Sequence, residues 1–292
     1  MESMHYQLNG VPLDTEWCHV LLGSNVVAAI SSVEDVLEVS GRHGAIPSGL
    51  PPVYKTRSLT IQLAAHGRDQ WWVQVQRVLM LATQPRLTLS RTVGDVVQQA
   101  DVSLQSLSAD SEVVGRYSTF TLVFDMPTMF WRGAERESSW IDAGESVLLP
   151  KPGESLLRTW WTGEPNNSPS ILHILRCRQA GGLSTAPLTD IILRLPKGVT
   201  QATVTDVASG TGISWQGAAS ASQYTYVSAE TLDAWRATAA DAWEGGTPVA
   251  GVDYPPAGIL AAHPMPDQSY RLNLTMSGST ASVEARFTQQ WW

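Results

Sequence analysis

The clearest alternation of apolar and polar residues lies in the stretch from Gly115 to Gly133, GRYSTFTLVFDMPTMFWRG. Phe120, Leu122 and Phe124 share one face of an extended chain, which predicts a β-strand with one buried side. Pro127 ends the strand, because proline has no amide hydrogen to donate to a neighbouring strand. We predict that this is the last strand of one domain and that the residues after it lead into a second domain.

The first 133 residues predict an α+β domain, in which antiparallel strands bury one face under a single helix. Asn9-Gly10 predicts the turn of a short hairpin. The stretch from Asp69 to Ala82 has apolar residues at helical spacing, and Trp71 and Trp72 are expected to lie in the core. The remaining expected strands are Val33–Val39, Val53–Ala64, Arg86–Ser90, Val96–Leu107 and Val113–Asp125.

From residue 134 to residue 292 the pattern changes to short strands separated by turn residues, which is typical of a β-sandwich. Ala229 to Trp243 predicts one surface helix, with Ser228 as its N-cap. A closing hairpin is expected around Ser277-Gly278, with alternating arms on both sides. The other expected strands are Ser139–Leu149, Ser155–Trp161, Ser170–Arg178, Leu188–Leu195, Gln201–Val207 and Gly212–Trp215. The sequence therefore predicts a mainly β protein with domains 1–133 and 134–292.

Composition narrows the class of protein. The chain of 292 residues has a formal net charge of −8, which argues against non-specific binding of nucleic acid across its outer surface. Cys18 and Cys177 are far apart in the sequence, so we expect free buried thiols rather than a disulfide or a zinc site. The longest apolar stretch, Val20 to Ile30, is too short to span a bilayer, and we expect no membrane insertion.

Signatures of catalysis are missing from the sequence. It has no GxSxG nucleophile motif, no GxGxxG loop, no P-loop lysine and no HExxH pair. We therefore expect neither an enzyme nor a bound cofactor or metal. Asp142, Glu145 and Glu154 could supply a pair of carboxylates for a cell-wall or polysaccharide hydrolase, and this function stays open as an alternative.

The 12 tryptophans predict buried anchors, subunit contacts or platforms for sugar rings. Trp160 and Trp161 are adjacent on an expected strand, so their side chains point to opposite faces and one of them points outward. We treat Trp161 and Trp215 as candidate exposed contacts. A subunit interface is the favoured use, and a carbohydrate-binding module for host-surface recognition is the alternative.

Several motifs in order resemble a known family. A strand, Gly41-Arg42-His43-Gly44, a proline-rich loop, an amphipathic helix and finally Phe130-Trp131 resemble the N-terminal half of distal tail proteins of long-tailed phages. In the second half, Asn166-Asn167-Ser168-Pro169 before an apolar strand resembles the opening of the C-terminal domain of that family, although Asn167-Ser168 stands where Asn-Gly is usual. Three further features resemble tail proteins of actinobacterial phages: Trp243-Glu244-Gly245-Gly246, Asp253-Tyr254-Pro255-Pro256 and a terminal hairpin closing on aromatic residues.

This resemblance implies a structural protein of the virion tail that assembles in the host cytoplasm. It implies a homo-hexameric ring at the distal end of the tail tube, built by a tube-like N-terminal domain, with a galectin-like C-terminal sandwich projecting outward. The implied partners are the tube protein and the hub of the tail tip or baseplate. DNA and the tape-measure protein would pass through the channel, and a host-surface glycan is a further candidate partner.

Two candidate sites follow from this interpretation. The loop that leads into the expected strand Val53–Ala64 is more apolar than a solvent-exposed loop usually is. We therefore expect this loop to contact a neighbouring subunit, and we call it the clasp loop. The residues of this clasp loop are Gly41, Arg42, Ile46, Leu50, Val53 and Tyr54. The second site is an interdomain joint, at which Phe130 and Trp131 would pack after Pro127.

Overall fold

The structure, a computed structural model, describes residues 5–22, 24, 29–33, 36–38, 45–47, 51–68, 70–94, 96–113, 116–141, 144–147, 149–150, 184–265 and 270–292. The chain divides into two compact units. The first unit comprises Met1–Val36, Pro52–Ala134 and Trp292, and the second comprises Leu37–Pro51 and Glu135–Trp291. Antiparallel strands dominate both units, so the mainly β prediction is confirmed.

The first 141 residues contain twelve strands and one helix among the residues that the structure describes. In chain order these are β1 (His5–Leu8), β2 (Val11–Pro12), β3 (Cys18–Val20), β4 (Ser32–Val33), β5 (Val36–Glu38), β6 (Ala45–Pro47), β7 (Val53–Tyr54), β8 (Arg57–His66), α1 (Trp71–Ala82), β9 (Leu87–Val93), β10 (Val96–Val113), β11 (Tyr117–Met126) and β12 (Trp131–Ile141).

The long strand β10 joins two parts of the sheet in the first unit. Its beginning, Val96 to Val102, pairs with β9, and β9 pairs with β1 of the β1–β2 hairpin. Its continuation pairs with β11, which pairs with β8 and then β3. Strands β8 and β11 alternate buried and half-exposed positions, as period-two patterning requires. Their buried residues are Leu59, Ile61, Leu63, Phe120, Leu122 and Phe124.

The predicted hairpin turn at Asn9-Gly10 is confirmed. Both residues have positive φ, 51° and 76°, and β1 pairs with β2 on either side of them. The Asn9 side chain also joins the hairpin to the next part of the chain, because its Oδ1 accepts a hydrogen bond from the Thr88 amide at 2.8 Å. Positive φ at both central positions is the requirement of the turn that Asn-Gly favours.

The predicted helix is also confirmed, as α1. It buries Val78, Leu81 and Ala82 beside β8 and β11. The expectation that both tryptophans lie in the core is wrong, because the Trp72 side chain is 53% exposed and Trp71 is only half-buried. Neighbouring helix positions differ by about 100° in direction, so Trp71 and Trp72 cannot both face the sheet.

Besides the two-stranded pair of β5 and β6, the second unit contains two larger sheets. One has the order β23-β15-β18-β19-β20, with β12 next to β23, and the other has the order β13-β22-β16-β17-β21. The strands after β12 are β13 (Gly144–Val147), β14 (Leu149–Pro150), β15 (Ile192–Leu195), β16 (Gln201–Asp206), β17 (Gly212–Gln216), β18 (Tyr224–Ser228), β19 (Ala234–Ala237), β20 (Thr247–Val249), β21 (Val252–Asp253), β22 (Arg271–Ser277) and β23 (Val283–Trp291).

Both sheets of the second unit contribute to one hydrophobic core. Leu193 of β15 and Ala285 of β23 come from the first sheet, and Val204 of β16 and Leu274 of β22 come from the second. Two sheets that share a core form a β-sandwich. The expected strands Ser155–Trp161 and Ser170–Arg178 lie outside the described residues.

The closing hairpin predicted around Ser277-Gly278 is wrong. Strand β22 pairs with β13 and β16, whereas β23 pairs with β15 in the other sheet. The chain therefore crosses from one sheet to the other after Ser277. Alternation identifies each strand and its buried face, but it does not specify the partner of the strand.

The surface helix predicted from Ala229 to Trp243 is also wrong. Residues 234–237 form β19, which pairs with β18, and Leu232 takes a positive φ of 58° that no α-helix contains. Trp235 lies opposite Tyr226 across the two strands, and their rings stack with centroids 5.6 Å apart. Trp235 is half-buried and Trp243 is buried where they pack against Tyr226 of the sheet, and this packing overrides helical preference.

Cys18 is a free, buried cysteine, as expected. Burial raises the pKa of its thiol to about 11, so almost none of it is the reactive thiolate at neutral pH.

In a Cys177→Ser background, we expect iodoacetamide to modify Cys18 at least roughly 100-fold more slowly in the native chain than in denaturant. Mass spectrometry of timed samples measures this, and similar rates in both states would contradict the buried position.

None of the helices in the described part of the chain is long and apolar enough to cross a membrane.

Candidate functional site

One face of the sheet in the first unit is polar and almost free of charge. Strand pairing places Ser58, Thr60 and Gln62 of β8 beside Asp125, Val123 and Thr121 of β11, all on the side opposite the hydrophobic core. Cross-strand partners point to the same face, so these side chains form continuous rows. We call this surface, with its continuation on β10, β9 and β1, the polar face.

The continuation follows β10. Ser103, Ser106 and Ser108 lie opposite β11, and Gln99 and Asp101 lie opposite β9 on the same side. A β-bulge between Leu104 and Ser106 keeps the serines on this side, because it adds one residue to the alternation. The remaining members on β9 and β1 are Thr88, Thr92, His5 and Gln7. The same side also contains Ser90, which is buried, and one exposed apolar residue of β10, Val97.

The charges of the polar face are few and mainly negative. Asp101 accepts a hydrogen bond from the Thr88 hydroxyl at 3.3 Å, and Asp125 accepts one from the Ser58 hydroxyl at 3.1 Å. Among the described positions of this face, the one lysine or arginine is Arg132, beside Gln99 at the β12 edge. This surface was not among the predicted sites, although the alternating polar residues Gln99, Asp101 and Ser103 of β10 indicate a polar face in the sequence.

The candidate joint residues lie in the first unit. Pro127 is exposed, whereas Phe130 and Trp131 are buried. The Arg91 guanidinium lies 4.2 Å from the centre of the Trp131 ring, and the Phe130 ring meets the Trp292 ring edge to face at 4.9 Å. Contacts between an arginine and an aromatic face are stronger when both groups are shielded from water. Whether this cluster also acts as an interdomain joint stays a prediction.

Two buried arginines support this segment. Arg91 donates hydrogen bonds to Gln98 Oε1 at 2.7 Å and to the Trp292 carbonyl at 3.0 Å. Arg57 donates to the Met129 carbonyl at 3.1 Å, and Met129 has a positive φ of 61°. Burial lowers the pKa of Arg91 to about 10, so the guanidinium is still charged at neutral pH. A charged group in this position fixes the backbone around Trp131 through directed hydrogen bonds.

The clasp loop is described only in part. Gly41, Arg42 and Leu50 lie outside the described residues, and Ile46 belongs to strand β6 with its side chain undescribed. Val53 is 68% exposed. Tyr54 is half-buried and packs edge to face on the Trp292 ring at 5.0 Å. The role of this loop in a subunit contact stays a prediction.

Of the two tryptophans expected to be exposed, Trp215 is a correction and Trp161 lies outside the described residues. Trp215 is 1% exposed and belongs to the sandwich core. Its indole N–H donates to the Ala250 carbonyl at 3.1 Å, which satisfies the polar end of the ring. A buried ring offers no face to a sugar or a neighbouring subunit.

Residues 238–243 cover the outer face of β18 and β19, where the sequence pattern predicted part of a helix. The Tyr226 hydroxyl donates to the Ala239 carbonyl at 2.9 Å, and the Trp235 indole donates to the Ala242 carbonyl at 2.8 Å. Trp243 is buried against the Tyr226 ring at 5.3 Å. These aromatic rings are therefore used inside the second unit, and the segment shields them from water.

A further polar cluster, around Asp206, stabilises a turn of the fold and does not form a reactive site. His263 Nδ1 lies 3.1 Å from Asp206 Oδ2, and Asp206 accepts further hydrogen bonds from the Ser209 amide and hydroxyl. This carboxylate closes the turn between β16 and β17. Within the described ranges, no group of three or more His, Cys, Asp or Glu residues could hold a metal ion. Of the proposed hydrolase carboxylates, Asp142 and Glu154 lie outside those ranges, and the Glu145 side chain is undescribed.

Comparison with solved structures shows a shared fold. The chain superposes on the Dit protein (gp 19.1) of phage SPP1 with a TM-score of 0.60 and 9% identity, and the match covers 100% of both chains. The SPP1 protein is described as a paradigm of the hub adsorption apparatus in phages that infect Gram-positive bacteria. Two structures of the phage P2 baseplate in its activated conformation match at TM-scores of 0.39 and 0.40 with 11% identity, over 98% of both chains.

Comparisons with protein-family models and with curated protein sequences gave no match.

Proposed function

We propose that this chain is a structural subunit of a phage tail, which forms a ring at the distal end of the tail tube and joins the tube to the tail tip or baseplate hub. The fold it shares with a hub protein of an adsorption apparatus, over the full length of both chains, supports this proposal. In this function the first unit builds the ring, and the second unit, a sandwich of galectin-like type, projects outward.

The single observation that carries the channel function is the polar face. DNA has about one negative charge per 1.7 Å of helix axis, so lysine or arginine side chains on a channel wall would bind and retain it. Serine, threonine and glutamine side chains with two aspartates, and a single arginine at the edge, Arg132, do not hold phosphates in this way. A wall of this composition permits DNA and a tape-measure protein to pass without adhering, and we assign the polar face to the channel.

The other partners follow from the same assignment. The exposed ends of the ring would contact the tube protein and the hub, and the clasp loop from Gly41 to Tyr54 would hold a neighbouring subunit. The distribution of exposed apolar side chains, among the residues that the structure describes, supports the view that the first unit makes most of these contacts. Of twelve large hydrophobic residues that are exposed, seven lie in the first unit away from the polar face, two lie on the polar face (Val97 and Tyr117) and three lie in the second unit.

Electron microscopy of the purified chain, alone and mixed with the tube protein, tests the proposed function. We expect rings with a central channel in at least one of the two preparations. A chain that stays monomeric in both preparations at high concentration would contradict the ring. Assembled tails that lack this chain at their distal end would contradict the proposed location.

Lysine substitutions on the polar face provide a prediction specific to the channel. Ser103→Lys combined with Ser106→Lys should leave folding intact, because both side chains are exposed. The variant should bind DNA more tightly than the wild type. Each phosphate that the new lysines neutralise should also steepen the fall of log affinity with log salt concentration by about one unit. Filter binding at several salt concentrations measures both effects.

Asn273→Lys combined with Thr275→Lys, on two exposed positions of the second unit, is the matched control for added charge. Tails that carry the polar-face variant should assemble but eject less DNA than tails that carry the control. If both variants eject DNA equally well and bind it equally weakly, the polar face does not line the channel.

A further inference from the structure

The polar face continues to the edge strand β3, where it contains two histidines. His19 of β3 lies opposite Ala64 of β8. His66 is the next residue of β8 on the same side, and it lies opposite Tyr117 of β11. Both positions continue the alternation that begins at Ser58, and cross-strand partners point to the same face, so His19 and His66 belong to the polar face. We call these two residues the histidine pair.

The two imidazole rings of the histidine pair stack on each other. Their centroids lie 5.1 Å apart with an angle of 27° between the ring planes, and the Trp17 ring packs on His66 at 5.8 Å. The His19 side chain is 52% exposed, and His66 is half-buried. Neither ring is enclosed in the core, so both can exchange protons with the solvent.

The charges around the histidine pair are balanced. Asp14 Oδ1 lies 4.0 Å from His19 Nδ1. The other titratable or charged residues that the structure describes at the ends of β3, β8 and β11 nearest the pair, apart from the core-facing Cys18, are Glu16, Arg68, Arg116 and Tyr117. Two acidic residues therefore offset two arginines, and the net charge of this edge of the polar face depends on protonation of the pair itself.

A third histidine lies on the polar face at its other edge. His5 of β1 is exposed and lies opposite Thr92 of β9. Three of the six histidines of the chain therefore belong to a surface on which the other charged members described are two aspartates and Arg132. With neutral imidazoles the negative charges of this surface are in excess, whereas three imidazolium groups would place the positive charges in excess.

We propose that the polar face holds DNA in acid and lets it pass at neutral pH, an inference that rests on the proposed channel. Histidine is the side chain that ordinarily gains its charge as the pH falls from 8 to 5. DNA is the occupant that charge complementarity selects, because its phosphates stay negative over this range and bind cationic side chains. Each subunit of the ring would contribute its own histidine pair to the channel wall.

DNA binding by the full chain at pH 5.5 and pH 8 tests the proposal. The variants are His19→Gln, His66→Gln and their combination, because glutamine is polar and gains no charge in acid. The matched control for each single variant is His263→Gln in the second unit, where the histidine ring meets Asp206 at 3.1 Å. Filter binding of a linear duplex at several salt concentrations measures affinity, and circular dichroism at both pH values verifies the fold.

The wild type should bind the duplex at least about 10-fold more tightly at pH 5.5 than at pH 8, and the combined variant should lose most of this gain. At pH 5.5, each histidine removed from the pair should flatten the fall of log affinity with log salt concentration by about one unit. His263→Gln should match the wild type at both pH values. His19→Lys keeps its charge at pH 8 and should bind DNA more tightly there than the wild type does.

Equal binding by the wild type and the combined variant at pH 5.5 overturns this inference and leaves the proposed ring and channel intact. Ejection from assembled tails tests the channel separately. Wild-type tails should eject less DNA at pH 5.5 than at pH 8, and tails with the combined variant should eject similar amounts at both. If binding follows the histidines but ejection from wild-type tails does not change with pH, the polar face does not line the channel, and this regulation is overturned with the channel assignment.

Discussion

Trp131→Ala is expected to lower the free energy of unfolding of the first unit by about 3–5 kcal/mol, the range measured for removal of a large aromatic side chain from a core. Trp131 is 0% exposed, so its removal leaves a cavity. It also removes the aromatic surface on which the Arg91 guanidinium rests at 4.2 Å. Denaturant unfolding of the full chain, followed by tryptophan fluorescence and circular dichroism, measures the change.

Two further variants separate the contributions. Trp131→Phe keeps an aromatic face for Arg91 and removes an indole N–H that has no hydrogen-bond partner among the described residues, so it should lose about half as much stability or less. Trp72→Ala is the matched control, because the Trp72 side chain is half-exposed, and it should cost below about 1 kcal/mol. Equal losses for Trp131→Ala and Trp72→Ala would contradict the buried role of Trp131.

The same variant tests the proposed interdomain joint. The chain passes from the first unit to the second between Ala134 and Glu135, a few residues after Trp131. If Trp131 fixes this segment, then Trp131→Ala should speed trypsin cleavage between Arg132 and Arg136 under conditions in which both units stay folded. Unchanged resistance to trypsin in this segment would mean that Trp131 contributes to the stability of the first unit but not to an interdomain joint.

Gly278→Ala is expected to lower the stability of the second unit by about 3–4 kcal/mol, near the upper end for a single substitution. Gly278 has a φ of +90°, which side chains rarely adopt, and a Cβ there would lie 2.3 Å from the Gly198 carbonyl oxygen. The overlapping atom belongs to the backbone, so it cannot rotate away. The position lies where the chain crosses from β22 in one sheet to β23 in the other.

Gly210→Ala is the control that isolates the overlap from the backbone strain. Gly210 has a similar φ of +73°, but a Cβ there would make an ordinary contact with Ala257 at 3.7 Å. It should cost only the strain of a left-handed residue, about 1–2 kcal/mol. Thermal unfolding of both variants measures the difference, and equal losses would show that the crossing can relax around the added methyl group.

The local features of the fold can be predicted from the sequence because each depends on neighbouring residues. The hairpin turn at Asn9-Gly10 follows from the two positive φ angles that these residues tolerate. Helix α1 and the alternating strand β11 follow from periodicities of 3.6 and 2. Phe130 and Trp131 are recognisable as an apolar pair, but their contacts with Trp292 and Arg91 join residues that are far apart in the sequence.

The errors share one physical cause. The terminal strands are adjacent in the chain, which predicts a hairpin, whereas burial of both apolar faces in one core places them in opposite sheets. The expectation of an exposed Trp215 is wrong because composition alone does not show which aromatic rings a core encloses. The stretch from Ala229 to Trp243 has near-helical spacing, yet its tryptophans pack on a sheet.

Residue type and spacing over a few positions are enough to predict the mainly β fold class and the position of most strands of the first unit. Composition alone gives the net negative charge, which argues against a DNA-binding outer surface. The pairing of the strands depends on the folded chain as a whole. The polar face depends on this pairing too, because its residues come from separate strands. Helix α1 is visible in the sequence, but which of its sides stays uncovered depends on where the helix packs. Pairing register, rather than proximity in the chain, brings the residues of the polar face together.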